Sequence, residues 1–368
     1  MPAPSPPACE APALTGAEDA KAPAPTACRI LRRVITQYNK SMRTLFALSL
    51  VGAMGFCANL PAPRERSFSF EYAVTVKDIP SGAHAVDIWL PAPHDDAFQR
   101  IANLHVDSPY RYEISTGTED NRIVHIRVID PKEAALAVTM RFDALRKEHL
   151  QPLAAASPAN AAAEPAGPPD LTRYLQPDRL VPLDDTIRRW AREVVDAAAA
   201  KTDLEMARAI YSHVVATVKY DKSGKGWGNG DIYYACDARR GNCTDFHAIF
   251  IGYARAVGIP ARFAIGFPLP ADRGAGKIAG YHCWAEFYAK GIGWVPVDAS
   301  EAAKNPAKRE YFFGAHDENR VELSKGRDVI LVPQQQGAPL NYFVYPYVEL
   351  DGGKYTSVDT SYSYRDQP

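Results

Sequence analysis

Four stretches between residues 67 and 142, SFSFEYAVTV, HAVDIWL, RIVHIRVI and ALAVTMRF, alternate apolar and polar side chains. Alternation with a period of two puts one face of an extended chain in a core and the other towards water, so each is predicted as a β-strand. Turns rich in Pro, Gly and Asp separate them, and a small antiparallel β-sandwich domain over residues 67–150 accommodates the set. The periodicity then stops. QPLAAASPANAAAEPAGPPD, residues 151–170, has neither helical nor strand spacing and reads as an Ala/Pro-rich linker.

A helical period follows. Ile187, Trp190 and Val194 lie on one side of a helix that opens at Asp184 and Asp185. Leu204, Ala207, Tyr211, Val214, Val215 and Val218 mark a second, with Thr202 and Glu205 in capping-box spacing. In the third, Phe246, Ile249, Phe250, Tyr253 and Val257 form an apolar stripe, with Asn242 as N-cap and Asp245 three residues on. Gly258 and Pro260 end it. Cys243 thus takes the first helical position, where backbone N–H groups lack helical partners and the positive end of the helix dipole favours an anion.

A lowered thiol pKa there suits a nucleophile. A packed structural cysteine competes on this local pattern, because free cysteine is among the most buried residue types. Downstream, GYHCWAEFY reads as a strand, and GWVPVD follows across AKGIG, a loop of hairpin length. Residues on one face of adjacent antiparallel strands come within side-chain reach, so His282 and Asp298 are expected to meet. Cysteine, histidine and carboxylate in that chain order is the arrangement of papain-like thiol enzymes, with Asp in place of their Asn.

GNCTDFHAIFIGYARAVGIPARFAIGF, YHCWAEFY and GWVPVDAS together resemble the three signature blocks of the transglutaminase-like superfamily, over about Leu183 to Glu301. NRVELSKGRDV and LNYFVYPYVE are similar to segments of its bacterial exported members. The resemblance implies an α+β fold: a transglutaminase-like (papain-like) core of helices packed on an antiparallel sheet over residues 171–301, preceded by the β-sandwich and followed by a β-rich C-terminal extension over 302–368. It also implies that Cys243 is the nucleophile, His282 its acid/base partner and Asp298 the orienting group. The reaction expected is acyl transfer from a peptide or protein amide, cell-envelope substrates included, through a thioester. Hydrolysis is the leading expectation, as in many bacterial relatives. An amine acceptor, giving crosslinking, and a non-catalytic peptide-binding envelope module are the alternatives.

Further residues take their roles from this frame. The backbone N–H of Cys243 is an oxyanion donor, and Tyr220, at the end of the second helix, is either a second donor or a core tyrosine. Trp284 is expected on the same strand face as His282, as a shield for the His–Asp hydrogen bond or as core. Trp227 stands in DKSGKGWGNGD, a mobile rim of the site or a plain exposed loop. That loop lacks the Lys-Ser/Thr ending of a phosphate loop, so no nucleotide is expected. His247, one turn beyond Cys243, competes as a base, but the helix dipole disfavours its cation, which makes it a satisfied polar contact. Cys236 and Cys283 are able to pair in an oxidising compartment, yet strand alternation turns Cys283 away from His282 and disfavours the bridge.

Composition narrows the partners. Lys and Arg total 42 against 43 Asp and Glu, a net charge of −1, which provides no field for nucleic acid. No cluster has metal-ligand spacing, and neither metal nor cofactor is expected. From Met42, MRTLFALSLVGAMGFCANLPAP has the layout of a signal peptide over 42–58: Arg43, then an apolar run from Leu45 to Cys57. That run is short of the roughly 20 residues needed to span a bilayer, though a short membrane anchor is the alternative. Export to the periplasm or the medium is therefore expected, with Met42 as initiator and residues 1–41 a disordered or start-site artefact.

Overall fold

A computed structural model describes residues 62–153 and 170–368. The signal-like segment and nearly all of the predicted linker lie outside the described residues. The longer strands before the linker are β1 (Glu65–Val76), β2 (Ala85–Ala92), β3 (Gln99–Asp107), β4 (Tyr112–Thr116), β5 (Arg122–Ile129) and β6 (Leu136–Lys147). After it come helices α1 (Asp185–Ala197), α2 (Asp203–Thr217), α3 (Ile232–Ala238) and α4 (Cys243–Ala256). The chain continues through β7 (Ala261–Pro268), β8 (Ala275–Ile278), β9 (His282–Ala289), β10 (Gly293–Val297), α5 (Ala299–Lys304) and β11 (Arg320–Lys325). It ends with β12 (Tyr347–Leu350), β13 (Gly353–Lys354) and β14 (Val358–Asp366).

The alternation in β1 buries Phe68, Phe70, Tyr72, Val74 and Val76 on one face. Two five-stranded sheets carry the β-region, in the orders β8-β14-β1-β6-β3 and β13-β12-β2-β5-β4. Strands from the far end of the chain complete both. β14 runs antiparallel to β1 from Phe68 opposite Asp366 to Val76 opposite Val358, and β12 pairs with β2. The β-rich stretch after residue 301 thus shares its sheets with the strands before the linker. Such pairing rests on backbone hydrogen bonds between segments nearly 300 residues apart, for which a local pattern holds no signal.

A third sheet, β10-β9-β7-β11, is antiparallel throughout, and α4 lies on it against β9 and β7. α1, α2 and α3 cover the other side of α4, so Cys243 through Arg255 are all buried, where one apolar stripe was expected. The α1 stripe comprises Ile187, Trp190, Ala191 and Val195, with Val194 only half-buried. Both predicted capping boxes are present, Thr202 with Glu205 and Asn242 with Asp245.

β7 shifts register between Ile265 and Gly266, where it approaches β11 closely. A Cβ built on Gly266 would fall 1.8 Å from the carbonyl oxygen of Val321, a rigid backbone atom. Gly266 also pairs with His282. Gly266→Ala is therefore expected to lower the unfolding free energy by about 3 kcal/mol, checked by the urea midpoint. An unchanged midpoint would show that β7 and β11 part without penalty.

Candidate active site

The N-terminus of α4 is built by its own sequence. The Asn242 side chain accepts the Thr244 N–H at 2.9 Å, and Asp245 Oδ2 accepts the Asn242 N–H at 2.9 Å. Gly241 is required beside them, since a Cβ there would lie 2.2 Å from Asp245 Oδ2. Asp245 accepts two further N–H groups, from Gly228 at 2.7 Å and Gly230 at 3.1 Å, and so ties the glycine-rich loop to the helix. Arg327 holds the same loop through the carbonyls of Asn229 and Gly230. The N–H of Cys243 donates to no described residue.

His282 opens β9, and its Nε2 lies 2.7 Å from Asp298 Oδ2. The strand pairing ends one residue short, at Ala285 opposite Val297, so Asp298 is not a strand residue as the hairpin pattern suggested. It is instead the N-cap of α5: its Oδ1 accepts the Glu301 N–H and the Ser300 hydroxyl, each at 3.0 Å. The cap holds Oδ1 and leaves Oδ2 for His282, so both oxygens of the carboxylate are engaged. Arg320, buried, donates to Oδ2 at 3.2 Å and reaches Asp317 on its other side.

Charges settle accordingly. Burial works to raise the Asp298 carboxyl, but the charge and hydrogen bond of His282, with Arg320, hold it well below its ordinary value. Burial alone would lower His282; Asp298 and Cys243 outweigh it and raise the imidazole to about 10. Burial also works to raise the Cys243 thiol, yet hydrogen bonds from Cys283 and His282 and the charge of His282 bring it well down. With Nε2 of His282 engaged by Asp298, Nδ1 is the atom left for the sulfur. Both shifts favour a thiolate beside an imidazolium, with Cys243 2% and His282 5% exposed.

Other predicted residues gather around this pair. Tyr220 is set beside it by a two-residue parallel pairing with Gly241, and its hydroxyl has no partner among the described residues. Burial and then the charge of Cys243 push its phenol up. Trp227 is half-buried on the tethered loop, with Lys222 Nζ 5.9 Å from its ring and 5.8 Å from that of Tyr220. Trp284 is fully buried, 6.2 Å from the His282 ring, and Arg320 stacks on it at 5.0 Å. It therefore backs the His282–Asp298–Arg320 set and belongs to the core at once. Cys236, Cys243 and Cys283 are free thiols: Cys236 contacts Tyr253, and Cys283 faces Thr244 and His247 on α4.

Two features carried no role in the sequence reading. Arg320 lies in NRVELSKGRDV, but a lone arginine shows no target until Asp298 is placed. Tyr281 accepts from Asn242 Nδ2 at 2.8 Å and pairs with Thr244 Oγ1 at 2.9 Å, and its ring meets Tyr342 and Tyr345 of the C-terminal stretch at 5.5 and 5.8 Å. The Tyr342 hydroxyl donates to the carbonyl of Gly228 at 3.4 Å, so this tyrosine cluster abuts the glycine-rich loop. Among the described residues no group of three or more His, Cys, Asp or Glu is disposed to hold a metal ion, and no helix is long and apolar enough to cross a membrane.

Residues 188–299 match the family model of the transglutaminase-like superfamily. An uncharacterized protein of Haemophilus influenzae is 27% identical over 86% of this chain and 96% of its own length. The crystal structure of a proposed cysteine protease from Cytophaga hutchinsonii superposes with a TM-score of 0.52 at 15% identity, covering 83% of this chain and 98% of that one. The periplasmic domain of TgpA from Pseudomonas aeruginosa gives a TM-score of 0.32 at 19% identity, over 68% of this chain and 75% of that one.

Proposed function

The chain carries a transglutaminase-like domain over residues 188–299, and on that premise we propose that it is a cysteine-dependent acyl-transfer enzyme that hydrolyses a peptide or protein amide. The observation that carries the proposal is His282 held between the Cys243 sulfur and the Asp298 carboxylate. The thiolate attacks the amide carbonyl: the C–S bond forms and the carbonyl electron pair moves to oxygen. The Cys243 N–H and the Tyr220 hydroxyl, neither of which has a partner among the described residues, receive that oxyanion. His282 passes its proton to the leaving nitrogen as the C–N bond breaks, leaving a thioester and a neutral imidazole. A water then gives its proton to His282 and its oxygen to the acyl carbon, and the thiolate departs. Asp298 keeps the ring oriented throughout.

Water is favoured over an amine by the mouth of the site. Lys222, exposed, stands over Tyr220 and Trp227 with no carboxylate partner among the described residues, and a cation there repels a protonated amine. Export belongs to the same proposal and rests on the signal-like segment at residues 42–58. The test is to incubate the protein with a peptide mixture in ¹⁸O-water, quench in acid and weigh the Cys243 peptide and the products. An acyl adduct on Cys243, absent from Cys243→Ala, with ¹⁸O in a product carboxylate is expected. Amine-linked products would move the reading to crosslinking. No adduct and no product, with Cys243→Ala fully functional in cells, would leave a peptide-binding module.

A further inference from the structure

His247 stands on α4 one turn beyond Cys243, with its side chain fully buried. Its Nε2 accepts the backbone N–H of Ala299 at 3.2 Å and lies 3.9 Å from Asp298 Oδ1. A ring nitrogen that accepts carries no proton, so the proton of the neutral ring is on Nδ1. The ring also hydrogen-bonds the backbone of Cys243, and its Nδ1 lies 3.8 Å from Cys283 Sγ. Burial keeps this imidazole below its ordinary value, against the pull of Asp298 and Cys243. Cys243 begins α4, and Ala299 begins α5 directly after Asp298. One neutral ring therefore joins the first turns of the two helices that present the sulfur and the carboxylate.

We infer that His247 is a positioning residue that fixes Cys243 relative to Asp298, and so sets the contact between the sulfur and the His282 ring. The inference rests on the thiol–imidazole–carboxylate reading above. An apolar side chain of similar volume would leave the buried Ala299 N–H without an acceptor and release α5 from α4. Glutamine, which places an amide oxygen at comparable reach, supplies the acceptor again. The same bond is removable from its other end: Ala299→Pro deletes the N–H at the first helical position, which proline tolerates. Asp298 before it has φ −131° and ψ 80°, outside the α region that a following proline disfavours.

The experiment measures alkylation of Cys243 by iodoacetamide from pH 4 to pH 10 in the full chain and in His247→Leu, His247→Gln, Ala299→Pro and the Leu/Pro double variant. Native tertiary structure is checked by near-ultraviolet circular dichroism. Asp245 of the same helix, His282 and Cys283 from β9 and the tyrosines 220, 281, 342 and 345 face Cys243 and are the same in all of them, whereas His247, whose charge also lowers the thiol, is replaced in three; Ala299→Pro keeps His247 and so separates its positioning from its charge. A weakened contact with His282 is expected to move the acid midpoint of alkylation up by about one pH unit in the Leu and Pro variants, about tenfold in rate on the acid limb. Gln should restore most of it, and the double variant should be no worse than either single change. A wild-type profile in folded His247→Leu, or an additive double variant, overturns the inference. If His247→Leu does not fold, Gln and Pro decide: a shift with Pro and none with Gln supports it, and no shift with Pro overturns it. Ordinary free-thiol behaviour of the wild type would instead sink the proposed function.

Discussion

Asp298→Asn is expected to slow acyl transfer by roughly three to four orders of magnitude, the loss seen when an orienting carboxylate becomes an amide. The carboxylate accepts from His282, Ser300, Glu301 and Arg320, and it is fully buried. An amide in its place has one acceptor oxygen and turns N–H donors towards at least one of these partners. His282 then loses the charge that raises it, and Arg320 is left beside Asp317 alone. Removing one partner from a buried ion network is destabilising as well, by about 3–5 kcal/mol. Single-turnover rates on the trapped peptide substrate, taken below the lowered melting temperature, isolate the chemical effect. A loss under tenfold in folded protein would mean that Asp298 serves the α5 cap and not the imidazole.

The second large effect lies in pH. A free cysteine with a pKa of about 8.5 is only about 0.3% ionised at pH 6. Cys243, held well below its ordinary value, is expected to keep a larger thiolate fraction there than the free thiol does. Lower intrinsic nucleophilicity offsets part of the gain. Alkylation at pH 6 should therefore outrun that of a free thiol, and its acid midpoint should lie below the free thiol's. Hydrolysis should lose a second limb near pH 10, where His282 gives up the proton that the leaving nitrogen needs, while alkylation persists there. The stability sign follows from the same shift: a histidine raised from 6.5 to about 10 stabilises the fold fully below pH 6.5, and that contribution is lost as pH rises through 10. An alkylation rate that climbs steadily towards pH 9, as a free thiol's does, would exclude the ion pair.

What was legible along the chain was local. Capping boxes are reciprocal bonds within four residues, so Thr202 with Glu205 and Asn242 with Asp245 stood in the sequence as they stand in the fold. The position of Cys243 at a helix start followed from them. The meeting of His282 and Asp298 was reached by a partly different route: the hairpin exists, but Asp298 arrives as a helix cap beyond its last pair. The burial of α4 on every side was not legible. Thr244, Asp245, His247 and Arg255 lie outside the predicted apolar stripe, and only the helices packed over them, with the hydrogen bonds they make inside, allow them to be dry.

By itself the sequence determined the strands β1, β2, β5, β6, β9 and β10 and the helices α1, α2 and α4, where α4 begins, and that one thiol sits on that helix start, while the short helices α3 and α5 went unread. Period and capping are properties of neighbours along the chain, and they need nothing else to act. The tertiary structure decided the rest: β14 beside β1, Arg320 against Asp298, Tyr281 over the α4 turn, and His247 between two helix ends. Each of these joins groups distant in sequence, and the free energy that selects them comes from excluding water around charges and amides that must then find one another.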